Sequence, residues 1–227
     1  TLLEQILSSH PQIGQTGESA SWINSLNLAL KKFELEASAY PNRMPNLTSD
    51  EWKKLTQNYL DSEHFVTAES TFVNKNLSNH LYVAPLKLLF PRAKFIYLVR
   101  DAMDNCLSIY QNRIFGASYS TDLCKIIHAQ QTLNSLVNHW NNIYPDSIYS
   151  LRYEELVHDG KNQLQQLMTF LEIDWSDELM QFNRRKNLVR TPSLNQVRRG
   201  LNTDAVEKWR PYKNLLSAAK KTLESYQ

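Results

Sequence analysis

The sequence predicts a three-layer α/β fold in which a short central parallel sheet is flanked by many helices. Three observations carry that prediction. The continuous apolar run Phe95 to Val99 is followed at once by Arg100-Asp101 and the helix-forming stretch AMDNCLSIYQ. That strand–turn–helix order belongs to parallel sheets covered on both faces. Segments with helical spacing of apolar residues outnumber the strand candidates. Finally, the 227 residues are 42% hydrophobic, with no internal repeat, low-complexity tract or linker. A single sizeable core, and hence one domain over residues 1–227, is expected.

The elements follow in order. Leu2, Leu3, Ile6 and Leu7 stand at helical spacing and predict an amphipathic opening helix. It begins without a Met or a preceding turn, and the first four amides of a helix need partners. A segment upstream of Thr1 is therefore expected. A threonine nucleophile activated by its own amine is the other reading of Thr1. Trp22, Leu26, Leu30 and Phe33 mark a second helix that ends before Tyr40-Pro41. Pro41 to Asp50 is a loop, and Ser49 or Asp50 can cap a helix carrying Trp52, Leu55 and Tyr59.

Phe65 to Ala68 reads as a short strand, and Asn76 to Phe90 as a helix with a kink at Pro85. Pro91-Arg92 ends it. The buried strand AKFIYLV comes next, and Asp101 is placed to cap the helix beyond it. Asp122 to Ile143 is a long helix, Ser147 to Tyr153 a strand and Gln163 to Leu171 a helix. Short helices around Leu179, Val206 and Leu215 complete the tail.

Composition excludes several functions. A net charge of +2 lacks the basic excess of a nucleic-acid binder. No run approaches the ~20 apolar residues of a membrane span. Two cysteines, Cys106 and Cys124, read as reduced thiols, which fits a cytoplasmic protein. The six histidines are scattered without ligand spacing, so no metal is expected. Only five glycines occur, and neither a G-x-G-x-x-G nor a G-x-x-x-x-G-K-[ST] loop is present. Charge is uneven: Arg184 to Arg199 holds six basic residues and no acid. A solvated helix face explains the cluster, and so does a site for a multiply charged anion.

Ligands of open α/β sheets bind beyond the carboxyl ends of the strands. Arg100 stands there, and Ser108 lies two turns into the next helix, about 10 Å along it. The two can grip one phosphate from two sides. A plain structural role, with Arg100 paired to Asp101 or Asp104, serves equally from position alone.

The segment FPRAKFIYLVRDAMDNCLSIY resembles the 3′-phosphate-binding strand and helix of sulfotransferases that use 3′-phosphoadenosine 5′-phosphosulfate (PAPS). The likeness is strongest to the tyrosylprotein sulfotransferase-like branch, including bacterial sulfotransferases carrying tetratricopeptide repeats. TLLEQILSSHP resembles the helix after the family's Pro-Arg-Ser-Gly-Thr-Thr loop, with Thr1 matching its last Thr. LRYEELV and SLNQVRRGLNTDAVEKWRPY resemble later cofactor segments. The single motif R-D-x(6)-S is weak, whereas several blocks in the right order are specific. The resemblance implies a P-loop-type fold whose glycine-bearing phosphate loop stands upstream of Thr1, donating backbone amides to the 5′-phosphosulfate.

Residue by residue, the resemblance makes Glu18 the base that takes the acceptor's proton, best done when partly desolvated beside Ala20 and Trp22. Lys75 steadies the sulfuryl group, and Ser193 donates to the transition state. Thr1, Arg100, Ser108 and Tyr153 become donor contacts. So do Gln196, Val197, Arg198, Arg199 and Gly200 of the wrapping loop, and Lys208. Arg198 and Arg199 stand where one cation is usual, leaving open which touches phosphate. The family's second arginine falls on Asn112, with Arg113 one residue later. Each residue also has a bland role: Glu18 at a helix N-terminus, Lys75 as an exposed lysine at a helix start, Ser193 as a loop serine, Tyr153 as a core aromatic, Lys208 as a solvated lysine.

The expected activity moves a sulfuryl group from PAPS to an acceptor hydroxyl, a peptide tyrosine or a small molecule, releasing 3′-phosphoadenosine 5′-phosphate (PAP) without a metal. No nucleic acid or membrane partner is expected, and homodimerisation stays open. The alternatives are a small-molecule kinase on a related P-loop fold and a scaffold that keeps the fold without the activity.

Overall fold

A computed structural model describes residues 1–30, 40–42, 44–62, 71–114, 116–184 and 199–226. The chain divides into two compact units, Thr1–Ala93 and Lys94–Gln227.

In the first unit, α1 (Leu2–Leu7) leads into β1 (Ile13–Gly17). Next come α2 (Ser21–Leu30), α3 (Ser49–Ser62), β2 (Thr71–Asn74) and α4 (Val83–Leu89). β1 and β2 pair in parallel, Ile13 opposite Thr71 and Gly17 opposite Asn74, with a register shift between Gln15 and Gly17. The core gathers Trp22, Leu26 and Leu30 of α2, Leu55 and Tyr59 of α3, and Leu47 and Leu89, with Phe72 and Phe90 packed against them. The Tyr59 ring meets Phe72 and Phe90 edge-on at 6.2 and 5.7 Å, the geometry favoured by aromatic quadrupoles.

Several expectations are corrected in this unit. α1 is not amphipathic, because Glu4 and Gln5 are buried along with Leu3, Ile6 and Leu7. Gln5 satisfies its amide by donating to Gln15 Oε1 at 2.8 Å. The strand expected at Phe65 to Ala68, and Phe33 of the second helix, lie outside the described residues; the strand described is Thr71–Asn74. The cap of α3 is neither Ser49 nor Asp50. Glu51 Oε2 accepts from Thr48 N at 2.8 Å while Glu51 N donates back to Thr48 Oγ1 at 3.4 Å, a reciprocal capping box. The long helix expected from Asn76 is a 3-10 turn at Asn79–Tyr82 followed by α4. Pro85 falls in the first turn of α4, where an amide is not needed, so it gives no kink.

In the second unit, β3 (Phe95–Val99) and β4 (Ile148–Arg152) pair in parallel, Phe95 opposite Ile148 through Val99 opposite Arg152. Between them run α5 (Ala102–Asn112) and α6 (Leu123–Ile143), and after them α7 (Tyr153–His158), α8 (Gly160–Leu171) and α9 (Ser217–Glu224). Met103, Cys106 and Leu107 of α5 pack with Ile126 and Ile127 of α6 and Leu216 and Ala219 at α9. All five β3 side chains are half-buried rather than buried. Asp122 caps α6 through Lys125 N at 3.0 Å. α8 begins three residues before the expected Gln163, at Gly160, where a Cβ would meet Leu201 Cδ1 at 2.1 Å. That close approach requires glycine and lets the Gly200-Leu201 segment lie on α8. Cys106 and Cys124 are free thiols. No helix among the described residues is long and apolar enough to cross a membrane.

Candidate functional site

In each unit the side chains of interest stand just past the carboxyl ends of two paired parallel strands. In the first unit Glu18 follows β1 and Lys75 follows β2, directly across the ladder. Lys75 N donates to Gly17 O at 2.7 Å, extending the strand pairing by one step. The Lys75 ammonium forms an ion pair with Glu18 Oε1. Lys75 therefore sits at a strand end rather than a helix start. Gly17, with φ of 65°, makes the left-handed turn that leads from β1 into Glu18.

Three asparagines hold this turn. Asn76 Nδ2 donates to Glu18 O at 3.1 Å, and Asn74 Nδ2 to Ser19 O at 3.1 Å. Asn79 Nδ2 and Asn76 N in turn both donate to Asn74 Oδ1, at 2.9 Å each. The backbone at the site is thus fixed while the ion pair is not deeply buried: Lys75 is 23% and Glu18 54% exposed. The desolvation expected of Glu18 from its neighbours is absent in the chain by itself. Trp22 turns instead into the core of its unit. A pair this exposed is worth about 0–1 kcal/mol and opens at little cost.

Beneath it lies a residue that sequence reasoning passed over. Glu4, on α1, is 6% exposed, and its Oε1 is buried without a hydrogen-bond partner among the described residues. Burial pushes its carboxyl above the ordinary range, with the Lys75 charge pulling the other way. Thr1 precedes α1, its carbonyl accepting from Gln5 N at 3.0 Å.

In the second unit Arg100 follows β3 and Tyr153 follows β4, again directly across the ladder. The Arg100 guanidinium lies 5.1 Å above the centroid of the Tyr153 ring. Such a contact is worth about 0.5–2 kcal/mol and rises with desolvation. Burial pushes the Tyr153 hydroxyl up, with Arg100 opposing. Arg100 Nη2 donates to Ala205 O at 2.7 Å, while its Nε is buried without a partner among the described residues. An unpaired buried guanidinium N–H is costly, and an anion oxygen would satisfy it.

Asp101 caps α5 as expected, accepting from Met103 N at 3.0 Å and Asp104 N at 2.9 Å. Its own amide donates to Glu154 Oε1 at 2.8 Å, which ties the two strand ends together. Ser108 is half-buried on α5, one turn beyond Asp104. Asp104, 2% exposed, accepts from Glu207 N at 2.7 Å and Trp209 N at 2.9 Å, on either side of Lys208. Arg199 forms an ion pair with Asp204 at 2.8 Å, and Gly200 has φ of 75°. Asn112 donates to Ser108 O at 2.8 Å, and Arg113 ends α5 at φ of 47°. Ser193, Gln196, Val197 and Arg198 lie outside the described residues. Among the described residues no cluster of three or more His, Cys, Asp or Glu could hold a metal.

Known proteins share this arrangement of elements. A sequence profile of the Sulfotransferase family matches residues 1–177. The chain belongs to the sulfotransferase family.

Among solved structures, this sulfotransferase chain superposes on the sulfotransferase domain of the curacin biosynthetic pathway with a TM-score of 0.65 at 17% identity, covering 99% of this chain and 92% of the other. The sulfotransferase domain of the Synechococcus PCC 7002 olefin synthase gives a TM-score of 0.66 at 17% identity, covering 99% and 89%. These likenesses establish the fold. An uncharacterized protein of Aquifex aeolicus is 32% identical over 226 residues, 96% of this chain and 30% of the relative. Protein-tyrosine sulfotransferase A of Caenorhabditis elegans is 24% identical over 237 residues, 92% of this chain and 57% of the relative. This sulfotransferase chain therefore spans about a third to just over half the length of these two relatives.

Proposed function

We propose that residues 1–227 work as one sulfotransferase domain that moves the sulfuryl group of PAPS onto an acceptor hydroxyl, with peptide tyrosine as the first acceptor to test. Family membership supports the reaction class. Likeness to a protein-tyrosine sulfotransferase supports the acceptor. The observation that carries the site is the Glu18–Lys75 ion pair at the carboxyl ends of β1 and β2.

In this reading the Glu18 carboxylate takes the hydroxyl proton as the acceptor oxygen forms its bond to sulfur. The bond from sulfur to the bridging phosphate oxygen breaks, and PAP departs with that electron pair. Negative charge builds on the sulfuryl and bridging oxygens, and a cation already in place lowers the barrier. Lys75 supplies it, released from a weak ion pair as Glu18 becomes neutral. Ser193 would add a hydrogen bond to the same oxygens. Arg100, with its unpaired Nε, and Ser108 would hold the 3′-phosphate, and Tyr153 the adenosine. Thr1 would contact the 5′-phosphosulfate end. Gln196, Val197, Arg198, Arg199 and Gly200, with Lys208, would close over the nucleotide. Residence in the cytoplasm belongs to the same reading and is supported by the free thiols of Cys106 and Cys124.

The test is a mass-shift screen. The full-length protein is incubated with PAPS and a panel of tyrosine peptides, phenols and sugars. Gain of one SO3 by a member of the panel, with release of PAP, is the expected result. No transfer to any member, together with no heat of PAP binding in calorimetry, would overturn the reading.

A further inference from the structure

A buried carboxylate persists where hydrogen bonds replace its lost water. Asp104 is such a carboxylate, and both of its oxygens are used on one short stretch of backbone distant in sequence. Oδ2 accepts from Glu207 N at 2.7 Å and Oδ1 from Trp209 N at 2.9 Å. The residue between these two amides is Lys208. Four residues before Asp104, Arg100 ties the same stretch by donating to Ala205 O at 2.7 Å. Glu207 is held at φ of 56°, a left-handed conformation that side chains with a Cβ avoid. Its amide is the one that Asp104 Oδ2 binds. Trp209 packs against the core formed by α5, α6 and α9, which anchors the far side of Lys208. The nearby Asp101 does a separate job, since its side chain is spent on the N-terminus of α5.

Resting on the donor-site reading above, we propose that Asp104 is a positioning residue of that site: its carboxylate fixes the backbone on both sides of Lys208 and so presents the lysine to the phosphates of the nucleotide. The same contacts bring the Lys208 segment to Arg100. One guanidinium thus ties the segment through Nη2 and keeps Nε for an anion.

The test is a double-mutant cycle read by PAP affinity. Calorimetry compares the parent full-length protein with Asp104→Asn, Lys208→Ala and the double variant. Each single change is expected to weaken binding about tenfold, and the double no more than either alone, because both remove one contact. Parent-like affinity in Asp104→Asn, or a double variant showing the product of the two single effects, would overturn the proposal. A purely structural Asp104 would lower the urea midpoint and leave the two effects multiplicative. If Asp104→Asn fails to fold, Asp104→Glu, which keeps the charge and shifts it by one methylene, replaces it in the cycle. A parent that binds while Lys208→Ala is silent removes Lys208, and this inference with it, from the site. A parent that gives no PAP heat removes the donor reading itself.

Discussion

Lys75 and Glu18 meet as an ion pair one residue beyond the ends of two hydrogen-bonded parallel strands, β1 and β2. Fifty-seven positions separate them in sequence, yet the ladder leaves them directly across from each other. The asparagine network from Asn74, Asn76 and Asn79 fixes the backbone from which Glu18 projects. A fixed backbone and a loosely held ion pair suit a base that must exchange its partner during the reaction.

Removal of the proposed base, Glu18, should separate chemistry from binding. Glu18→Ala is expected to lower kcat by about 10²–10⁴-fold, the usual worth of a positioned general base. PAP affinity by calorimetry should stay within about threefold of the parent. Near-parental turnover in the variant would mean that another group takes the proton.

Arg100 should discriminate the 3′-phosphate. Arg100→Lys keeps the charge but loses the planar donor set, including the buried Nε. Affinity for PAP is expected to fall at least about tenfold, while affinity for adenosine 5′-monophosphate, which lacks the 3′-phosphate, changes little. Equal losses for both nucleotides would place Arg100 elsewhere than at that phosphate.

Glu4 should make stability depend on pH. Burial raises its carboxyl above the unfolded value, so over that interval the folded chain holds a proton that the unfolded chain has lost. The contribution is complete below the unfolded value and disappears as pH rises through the raised folded one, so stability falls with rising pH. Glu4→Gln, a mimic of the neutral acid, should have a higher urea midpoint than the parent at neutral pH and nearly the same one at about pH 4. Parallel pH profiles for parent and variant would show that Glu4 does not titrate in this way.

Gly17 should accept a side chain only at a cost. Its φ of 65° is strained for any residue with a Cβ, although an added Cβ would have ordinary space, with Glu4 Oε1 3.9 Å from it. Gly17→Ala is expected to cost about 1–2 kcal/mol in chemical denaturation. Because the strained turn leads into Glu18, kcat should fall more than the affinity for PAP.

Legibility differed between the two strand pairs. The β3–α5 junction could be read directly. Phe95 to Val99 is an unbroken apolar run, and Asp101 is a local cap whose side chain accepts from the nearby amides of Met103 and Asp104. The long helix α6 begins one residue after the position that its apolar spacing indicated. β1 carries no strand signal in the sequence, because Ile13–Gly17 contains two glycines and two polar residues. β2 is four residues long and half-buried, and its strand character comes from pairing with β1. The cap of α3 is Thr48 rather than Ser49 or Asp50, and all three are capping types. The return hydrogen bond from Glu51 decides among them.

By itself the sequence determined the elements whose causes are local: the run of β3, the Asp101 cap and the period of α6. Through the order of its blocks it also determined the family. Tertiary structure alone decided that Lys75 closes on Glu18, that Arg100 stacks on Tyr153, and that Asp104 clasps the backbone around Lys208. Those contacts span 57, 53 and more than 100 residues, so their energies come from which strand ends the fold lays side by side. Local propensity reports on a residue's neighbours along the chain, whereas hydrogen bonds and ion pairs respond to distance and orientation in space, whatever the separation in sequence.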